Sequence, residues 1–400
     1  MIPKLDEYKK QFDIESDDAI KPGLDAVMGA LSTVLKPEKD LHIIHVAGTN
    51  GKGSTIAVME AVLQAHGYTT GVFSSPAMID LHDQIRINGD SISPNELEYV
   101  FEEMNAADLS GVLTDFELLT VAAFLAFRNA SPDYVLLETG MGGRFDSTNV
   151  VMPLVSVITS ISLDHTGFLG DTERKIARHK AGIIKPGIPA VIGGLSEEAR
   201  EVMEEEAELN RSLLYVYGKD FRMNADQFEG MQAFELPERR MKGPHQAVNC
   251  AVALEALLAA GIPLKQKAVA EAVKTAQLPF RFQEIREGVF IDGAHNPAAA
   301  KMLVRTIMEQ FPGEKVDWVI GMLNTKDYEE VLKIFAQLAN SFTFVDFPHP
   351  QAAKAEDLLA VCPLNESKIV SISEIDREQS GKHKKVIAGS LYLLSSLMRQ

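Results

Sequence analysis

Apolar-rich runs recur along the first two-thirds of the chain at Leu41 to Val46, Tyr134 to Leu137 and Leu154 to Ile161, with shorter strand signals at Thr69 to Phe73 and Ile188 to Ile192. They lack the strict alternation of a half-exposed strand, as parallel strands covered on both faces do. Helical periods fill the gaps. Leu24, Val27, Met28, Leu31 and Leu35 predict an amphipathic helix before the first strand, and Ile56 to Leu63 a helix after it. Ser93-Pro94-Asn95-Glu96 and Thr114-Asp115-Phe116-Glu117 have capping-box spacing, starting helices that run to about Ala107 and through Phe127. Gln84 to Ile87 followed by Asn88-Gly89 predicts a hairpin turn, and helices are expected over 172–181 and 196–209.

Residues 221–236 alternate weakly and predict an antiparallel flap, followed by helices near 245–260 and 265–276. Leu278-Pro279-Phe280-Arg281 interrupts the pattern, and a second strand–helix alternation begins at Val289 to Ile291. The fold class expected is α/β: a central domain over 1–280 with a mostly parallel sheet and a phosphate-binding loop, then a smaller Rossmann-like C-terminal domain over 281–400.

Composition narrows the function. The 400 residues are 46% hydrophobic and 24% charged, with a formal charge of −17. That balance speaks against a broad nucleic-acid or anionic-membrane surface, both of which need a basic footprint. Two cysteines, Cys250 and Cys362, make no disulfide framework. No apolar run approaches transmembrane length, so a soluble cytoplasmic protein is expected.

The candidate chemistry sits at strand ends. Gly48-Thr49-Asn50-Gly51-Lys52-Gly53-Ser54-Thr55 joins a strand to a helix, where backbone N–H groups and the helix N-terminus attract an anion. Lys52 would meet the outer phosphates, and Ser54 or Thr55 a Mg²⁺ ion. Val46 stands where the common pattern has its first glycine, so this is a variant phosphate loop. Glu138, in Glu138-Thr139-Gly140-Met141-Gly142-Gly143-Arg144-Phe145-Asp146, is a carboxylate suited to Mg²⁺, and His165 closes the next strand. Lys180 is either a solvated surface lysine or, if buried, a neutral amine of the kind carbamylation by CO₂ requires. Asn249 could read an adenine edge or serve the helix it sits on. Asp292, His295 and Asn296 lie on a second strand-to-helix turn, and Gly389-Ser390 on a third.

Together these motifs resemble the folylpolyglutamate synthase and dihydrofolate synthase family, within the Mur ligase-like ATP-dependent amide ligases. The resemblance spans nearly the whole chain, from Lys21-Pro22-Gly23-Leu24 through Leu163-Asp164-His165 and Lys180-Ala181-Gly182 to Gly389-Ser390-Leu391. It implies that ATP phosphorylates a substrate carboxylate, glutamate attacks the acyl phosphate, and phosphate leaves. By the same resemblance Thr49 to Thr55, Asn249, Arg281 and Asp292 bind ATP across a domain cleft. Ser54, Glu138, His165 and carbamylated Lys180 would hold two Mg²⁺ ions, with K⁺ a further candidate. Lys52, Asp146, Lys180 and His295 would be catalytic. Ser75, Arg86 and Phe116 would form the folate pocket, and His295 and Ser390 would meet the incoming glutamate. A monomer acting on small molecules is implied. Ala77, Phe280 and Thr325 depart from the family pattern in the pterin loop, the Pro-Gly-Arg hinge and the Gly321 to Asp327 loop. Two alternatives remain: a Mur-type ligase of another carboxylate, and a nucleotide-dependent switch. The latter is disfavoured because Asn324-Thr325-Lys326-Asp327 sets its lysine one position later than guanine-reading Asn-Lys-x-Asp.

Overall fold

The computed structural model describes residues 2, 4–18, 21, 23–375 and 383–398. Pro22 of the Lys21 to Leu24 motif lies outside them. The chain divides into two units, Met1–Arg239 with Val248–Ala276, and Arg240–Ala247 with Gln277–Gln400.

Unit 1 is built on eight strands: β1 (Ile43–Ala47), β2 (Thr70–Phe73), β3 (Ile85–Ile87), β4 (Asp90–Ser91), β5 (Tyr134–Glu138), β6 (Val155–Ile158), β7 (Ala190–Ile192) and β8 (Leu214–Val216). Their order is β4-β3-β2-β5-β1-β6-β7-β8. The six strands from β2 to β8 in that order run parallel, while β3 and β4 make an antiparallel edge around Asn88-Gly89. Both turn residues have the positive φ that a tight hairpin needs, 53° and 91°. A separate three-stranded sheet, β9 (Arg222–Asn224), β10 (Gln227–Glu229) and β11 (Phe234–Glu235), forms the flap.

The helices of this part of the chain are α1 (Leu5–Gln11), α2 (Asp25–Thr33), α3 (Lys52–Ala65), α4 (Pro94–Ala106), α5 (Asp115–Ala130), α6 (Thr166–Leu169), α7 (Glu173–Ala181), α8 (Glu197–Leu209), α9 (Pro244–Ala259) and α10 (Gln266–Thr275). Both expected capping boxes, at Ser93 and Thr114, are formed. Helix α2 ends earlier than its apolar spacing predicts. Val27, Ala30, Leu31 and Val34 supply the buried i, i+3, i+4, i+7 stripe, whereas Met28 is 54% exposed and Leu35 88%. Leu35 has left the helix with a φ of 66°. Helix α1 and strand β8 carried no pattern strong enough to predict them.

Unit 2 contains β12 (Gln283–Arg286), β13 (Val289–Ile291), β14 (Val316–Ile320), β15 (Ala339–Val345), β16 (Ser367–Val370) and β17 (Lys384–Ala388), in the order β12-β13-β17-β14-β15-β16. Only β12 runs antiparallel. Helices α11 (Pro297–Gln310), α12 (Tyr328–Phe335), α13 (Ala355–Ala360) and α14 (Leu391–Met398) follow strands as an α/β fold requires. No helix among the described residues is long and apolar enough to cross a membrane.

The core of unit 1 centres on α5, whose residues from Glu117 to Phe127 are all buried. Phe124→Ala should lower the unfolding free energy by about 3–5 kcal/mol, because a fully buried ring leaves a cavity the packed core cannot close. Denaturant titration followed by circular dichroism measures it; a parental midpoint would contradict this packing.

Candidate active site

The phosphate loop leaves β1, which is buried along its length. Gly48 approaches the chain so closely that a Cβ would lie 1.9 Å from Thr159 Oγ1. Gly51 precedes α3 at φ 87°, and a Cβ there would lie 2.5 Å from Asn249 Oδ1. Only glycine fits both the conformation and the space. The segment after β6 braces the loop. Thr49 N–H donates to Ser160 O (2.8 Å), Asn50 N–H to Ser160 Oγ (2.9 Å), and Thr159 Oγ1 to Asn50 O (2.6 Å). Asn50 is thereby held at both its backbone groups, which preorganises the turn leading into α3.

Strand register brings the other groups to this edge. Val46 lies opposite Glu138 on β5, and Ala47 opposite Ile158 on β6, so the three loops leave the sheet side by side. Glu138 is buried, with Oε1 3.6 Å from Lys52 Nζ, which also donates to Gly48 O at 3.2 Å. The buried hydroxyls Thr55 Oγ1 and Thr139 Oγ1 have no hydrogen-bond partner among the described residues. Ser54, Glu138 and these hydroxyls are hard oxygen donors, and they fit an ion of the Mg²⁺ type, which keeps several positions for phosphate and water. No group of three or more His, Cys, Asp or Glu side chains that could hold a metal ion occurs among the described residues.

The loop after β5 packs directly on α7. Arg144 N–H donates to His179 O (2.7 Å), and a Cβ on Gly143 would lie 2.8 Å from that same oxygen. This approach places buried Asp146 and buried Lys180 in one electrostatic field. Desolvation lowers the Lys180 amine to about 7, reinforced by the Lys52 charge and opposed by Asp164 and Asp146. Burial pushes the Asp146 carboxyl above the usual carboxylate range, opposed by its hydrogen bonds to Thr148 and Met141 and by the Lys52 charge. The solvated-surface reading of Lys180 does not hold: its residue is 3% exposed. His165, by contrast, has a side chain 50% exposed and stands at a φ of 49° at the start of α6.

The remaining candidates are placed as follows. Asn249 is buried with its amide against Gly51. Phe116 stacks on Phe73 at 5.7 Å and covers Gly140, where a Cβ would come within 2.5 Å of its ring. Ser75 lies two residues beyond β2. Arg86 lies on β3, where its guanidinium pairs with Glu60 at 2.6 Å, so its charge is offset within unit 1.

In unit 2, Asp292 follows β13 and accepts from Phe282 N–H and Ala294 N–H, both at 2.8 Å. Burial pushes its carboxyl up, opposed first by the Arg281 charge. Phe280, which replaces the small hinge residue, holds a φ of 62° and is buried. The hinge therefore keeps a glycine-like backbone with a large, buried side chain. His295 Nδ1 donates to Gly293 O (2.8 Å), which leaves Nε2 as the acceptor in the neutral ring. Gly389 N–H donates to Ala294 O (3.0 Å), tying the Ser390 turn to the His295 turn.

Sequence reasoning missed His45 and Thr148. His45 Nε2 lies 2.9 Å from Thr148 Oγ1, which lies 2.5 Å from Asp146 Oδ1. A histidine inside an apolar-rich strand was the available signal.

Comparison with known proteins follows this geometry. Residues 46–256 match the Mur ligase middle domain, and residues 277–400 match the C-terminal domain of dihydrofolate synthetase. The chain is 34% identical to the dihydrofolate synthase/folylpolyglutamate synthase of Bacillus subtilis, over 95% of each chain. It is 35% identical to the protein of the same name from Escherichia coli, over 84% of this chain and 79% of that one. Among solved structures, E. coli FolC in complex with DHPP and ADP superposes with a TM-score of 0.89 at 31% identity, covering 99% of this chain and 97% of that one. A bifunctional folylpolyglutamate synthase/dihydrofolate synthase with Mn, AMPPNP and L-glutamate bound gives a TM-score of 0.85 at 31% identity, covering 96% and 95%.

Gly51→Ala should weaken ATP binding about tenfold or more, since the methyl group meets Asn249 and disfavours the turn. Calorimetric titration with ATP measures it, and an unchanged affinity would remove this loop as the phosphate site. Lys180→Met tests the buried amine. Its folded pKa lies below its unfolded one, so the cost of burying it is complete below pH 7 and fades toward pH 10.5. In CO₂-free, metal-free buffer, the stability of Lys180→Met relative to the parent should therefore fall as pH rises through that window. A difference constant with pH would show that the amine is not desolvated.

Proposed function

The chain belongs to the dihydrofolate synthase/folylpolyglutamate synthase family, ATP-dependent ligases that add glutamate to folates, and on that premise we propose that it joins L-glutamate to the carboxylate of a reduced folate, and to dihydropteroate as a second acceptor. The observation that carries this reading is the gathering of Lys52, Glu138, Asp146 and Lys180 at the carboxyl end of one sheet, under a glycine-shaped phosphate loop.

Both reactants of the first step are anionic, the γ-phosphate of ATP and the acceptor carboxylate. The step therefore requires preorganised positive charge where they meet. The N–H groups at the start of α3 and the Lys52 ammonium supply part of it from the chain. Ser54 and Glu138 would hold one Mg²⁺ ion, and His165 with carbamylated Lys180 a second. When bound, these ions supply the rest of the charge that offsets repulsion. Carbamylation suits Lys180 because an amine with a pKa of about 7 is substantially neutral at physiological pH, and the neutral amine is what adds to CO₂.

Phe116, Ser75 and Arg86 are proposed to hold the folate, with Phe116 offering an aromatic face beside Phe73. Asn249, Arg281 and Asp292 are proposed to serve ATP, and His295 and Ser390 the glutamate that attacks the acyl phosphate. In the neutral His295 ring the proton sits on Nδ1, which donates to Gly293 O, so Nε2 has acceptor character. Asp146 is proposed as catalytic beside Lys52 and Lys180. The functional division is 1–280 for the ATP phosphates, metal and folate and 281–400 for glutamate, with Arg281 and Asp292 of the latter also serving ATP, in a monomeric cytoplasmic enzyme assisted by K⁺.

Glutamate-dependent ADP release with tetrahydrofolate or dihydropteroate tests the activity, in the presence of Mg²⁺ and K⁺, with the product gaining one glutamyl residue. Folded protein that turns over neither acceptor would defeat the reading, and gain of a different amino acid would point to a Mur-type ligase. Lys180→Ala should lose activity by a factor on the order of 10²–10³ while remaining folded. A short carboxylic acid should restore part of it by standing in for the carbamate; full activity of the unsupplemented variant would remove the carbamate.

A further inference from the structure

We propose that His45 is a positioning residue for Asp146, acting through Thr148: its Nε2–H donates to the Thr148 hydroxyl and so directs that hydroxyl's single proton onto Asp146 Oδ1. This extends the proposed function, since it concerns a carboxylate already placed in that site. It requires no contact between His45 and any substrate.

Thr148 Oγ1 has one hydrogen and two close neighbours, Asp146 Oδ1 at 2.5 Å and His45 Nε2 at 2.9 Å. With the Thr148 proton used in one of these two contacts, two arrangements satisfy both for a neutral imidazole. In the first, His45 Nε2–H donates to Thr148 and Thr148 donates to the Asp146 carboxylate. In the second, a protonated Asp146 donates to Thr148, Thr148 donates to His45 Nε2, and the ring proton sits on Nδ1.

Two observations select the first arrangement. His45 is fully buried, and its Nδ1 has no hydrogen-bond partner among the described residues. The second arrangement would strand an N–H donor there, whereas the first leaves only a lone pair, and buried orphan donors are the rarer and costlier case. Asp146 also accepts two backbone donors, Met141 N–H at Oδ2 (2.7 Å) and Thr148 N–H at Oδ1 (3.1 Å). All the donors thus converge on a carboxylate. Burial lowers the imidazole to about 3, so the ring is neutral near neutral pH, the premise from which both arrangements start.

The consequence is directional. β1 carries His45 at its centre and the phosphate loop at its end, so the strand that sets the loop also sets the rotamer of Thr148 and, through it, the hydrogen bond to Asp146 Oδ1. Leucine at 45 would fill similar space but leave Thr148 free to rotate. Glutamine would keep an N–H donor.

Kinetics and nitrogen-15 NMR on the full-length protein test this. His45→Leu and Thr148→Val should each lower kcat on the order of 10–100-fold with KM for ATP little changed. The double variant should lose no more than Thr148→Val alone, because both changes cut one chain of bonds. His45→Gln should recover most of the loss. Losses that multiply, or a glutamine variant as impaired as the leucine one, would overturn the proposal. The nitrogen-15 spectrum of the parent protein provides a readout independent of activity and of variant folding. It should show His45 protonated on Nε2 and bare on Nδ1, and the reverse tautomer would overturn the proposal. A parent protein that lacked ligase turnover would defeat the proposed function while leaving this tautomer test standing.

Discussion

The structure of unit 1 turns on the close approach of two backbones, the glycine-rich segment after β5 and the last turn of α7. A side chain at Gly143 would collide with His179 O, and one at Gly182 would lie 2.4 Å from Arg144 Cβ. Without that contact, Asp146 and Lys180 would belong to separate elements in solvent. With it, a carboxylate and an amine are withdrawn from water, with the carboxylate close enough to oppose the lowering of the Lys180 amine. The desolvation cost of this arrangement is large by the standards of a chain only marginally stable overall, and groups are seldom buried this way without a chemical role.

The phosphate loop shows the same economy of backbone. Gly48 and Gly51 make space for Thr159 and Asn249, and those residues in turn hold it. Asn50 directs its N–H and carbonyl to Ser160 and Thr159, so the loop's anion-binding capacity is concentrated at the start of α3 beside Lys52. The variant spacing, with Val46 where a first glycine is usual, is accommodated because Val46 is still a strand residue buried in the sheet.

Unit 2 repeats the principle with different chemistry. Asp292 accepts from two backbone N–H groups, Phe282 just after the hinge and Ala294 two residues beyond Asp292, and parallel pairing of Ile291 with Ile387 sets the His295 and Ser390 turns next to each other. Phe280 keeps the left-handed backbone expected of glycine, and its ring is buried at a position that the family pattern leaves small.

What the sequence determined by itself was largely local. Strand runs covered on both faces, the two capping boxes and the Asn88-Gly89 turn are short-range patterns of apolarity and hydrogen bonding, so their elements were legible, as were the strand-end motifs and the family they resemble. Tertiary structure decided what depends on neighbours distant in the chain. Whether Lys180 is surface or core rests on α7 meeting the loop after β5. That Arg86 is offset by Glu60 rests on β3 passing α3. The pairing of His45 with Thr148 spans residues 103 apart, and nothing in either segment announces the other. Periodicity can report which face of an element is apolar, but not which polar group will be waiting when that face is buried.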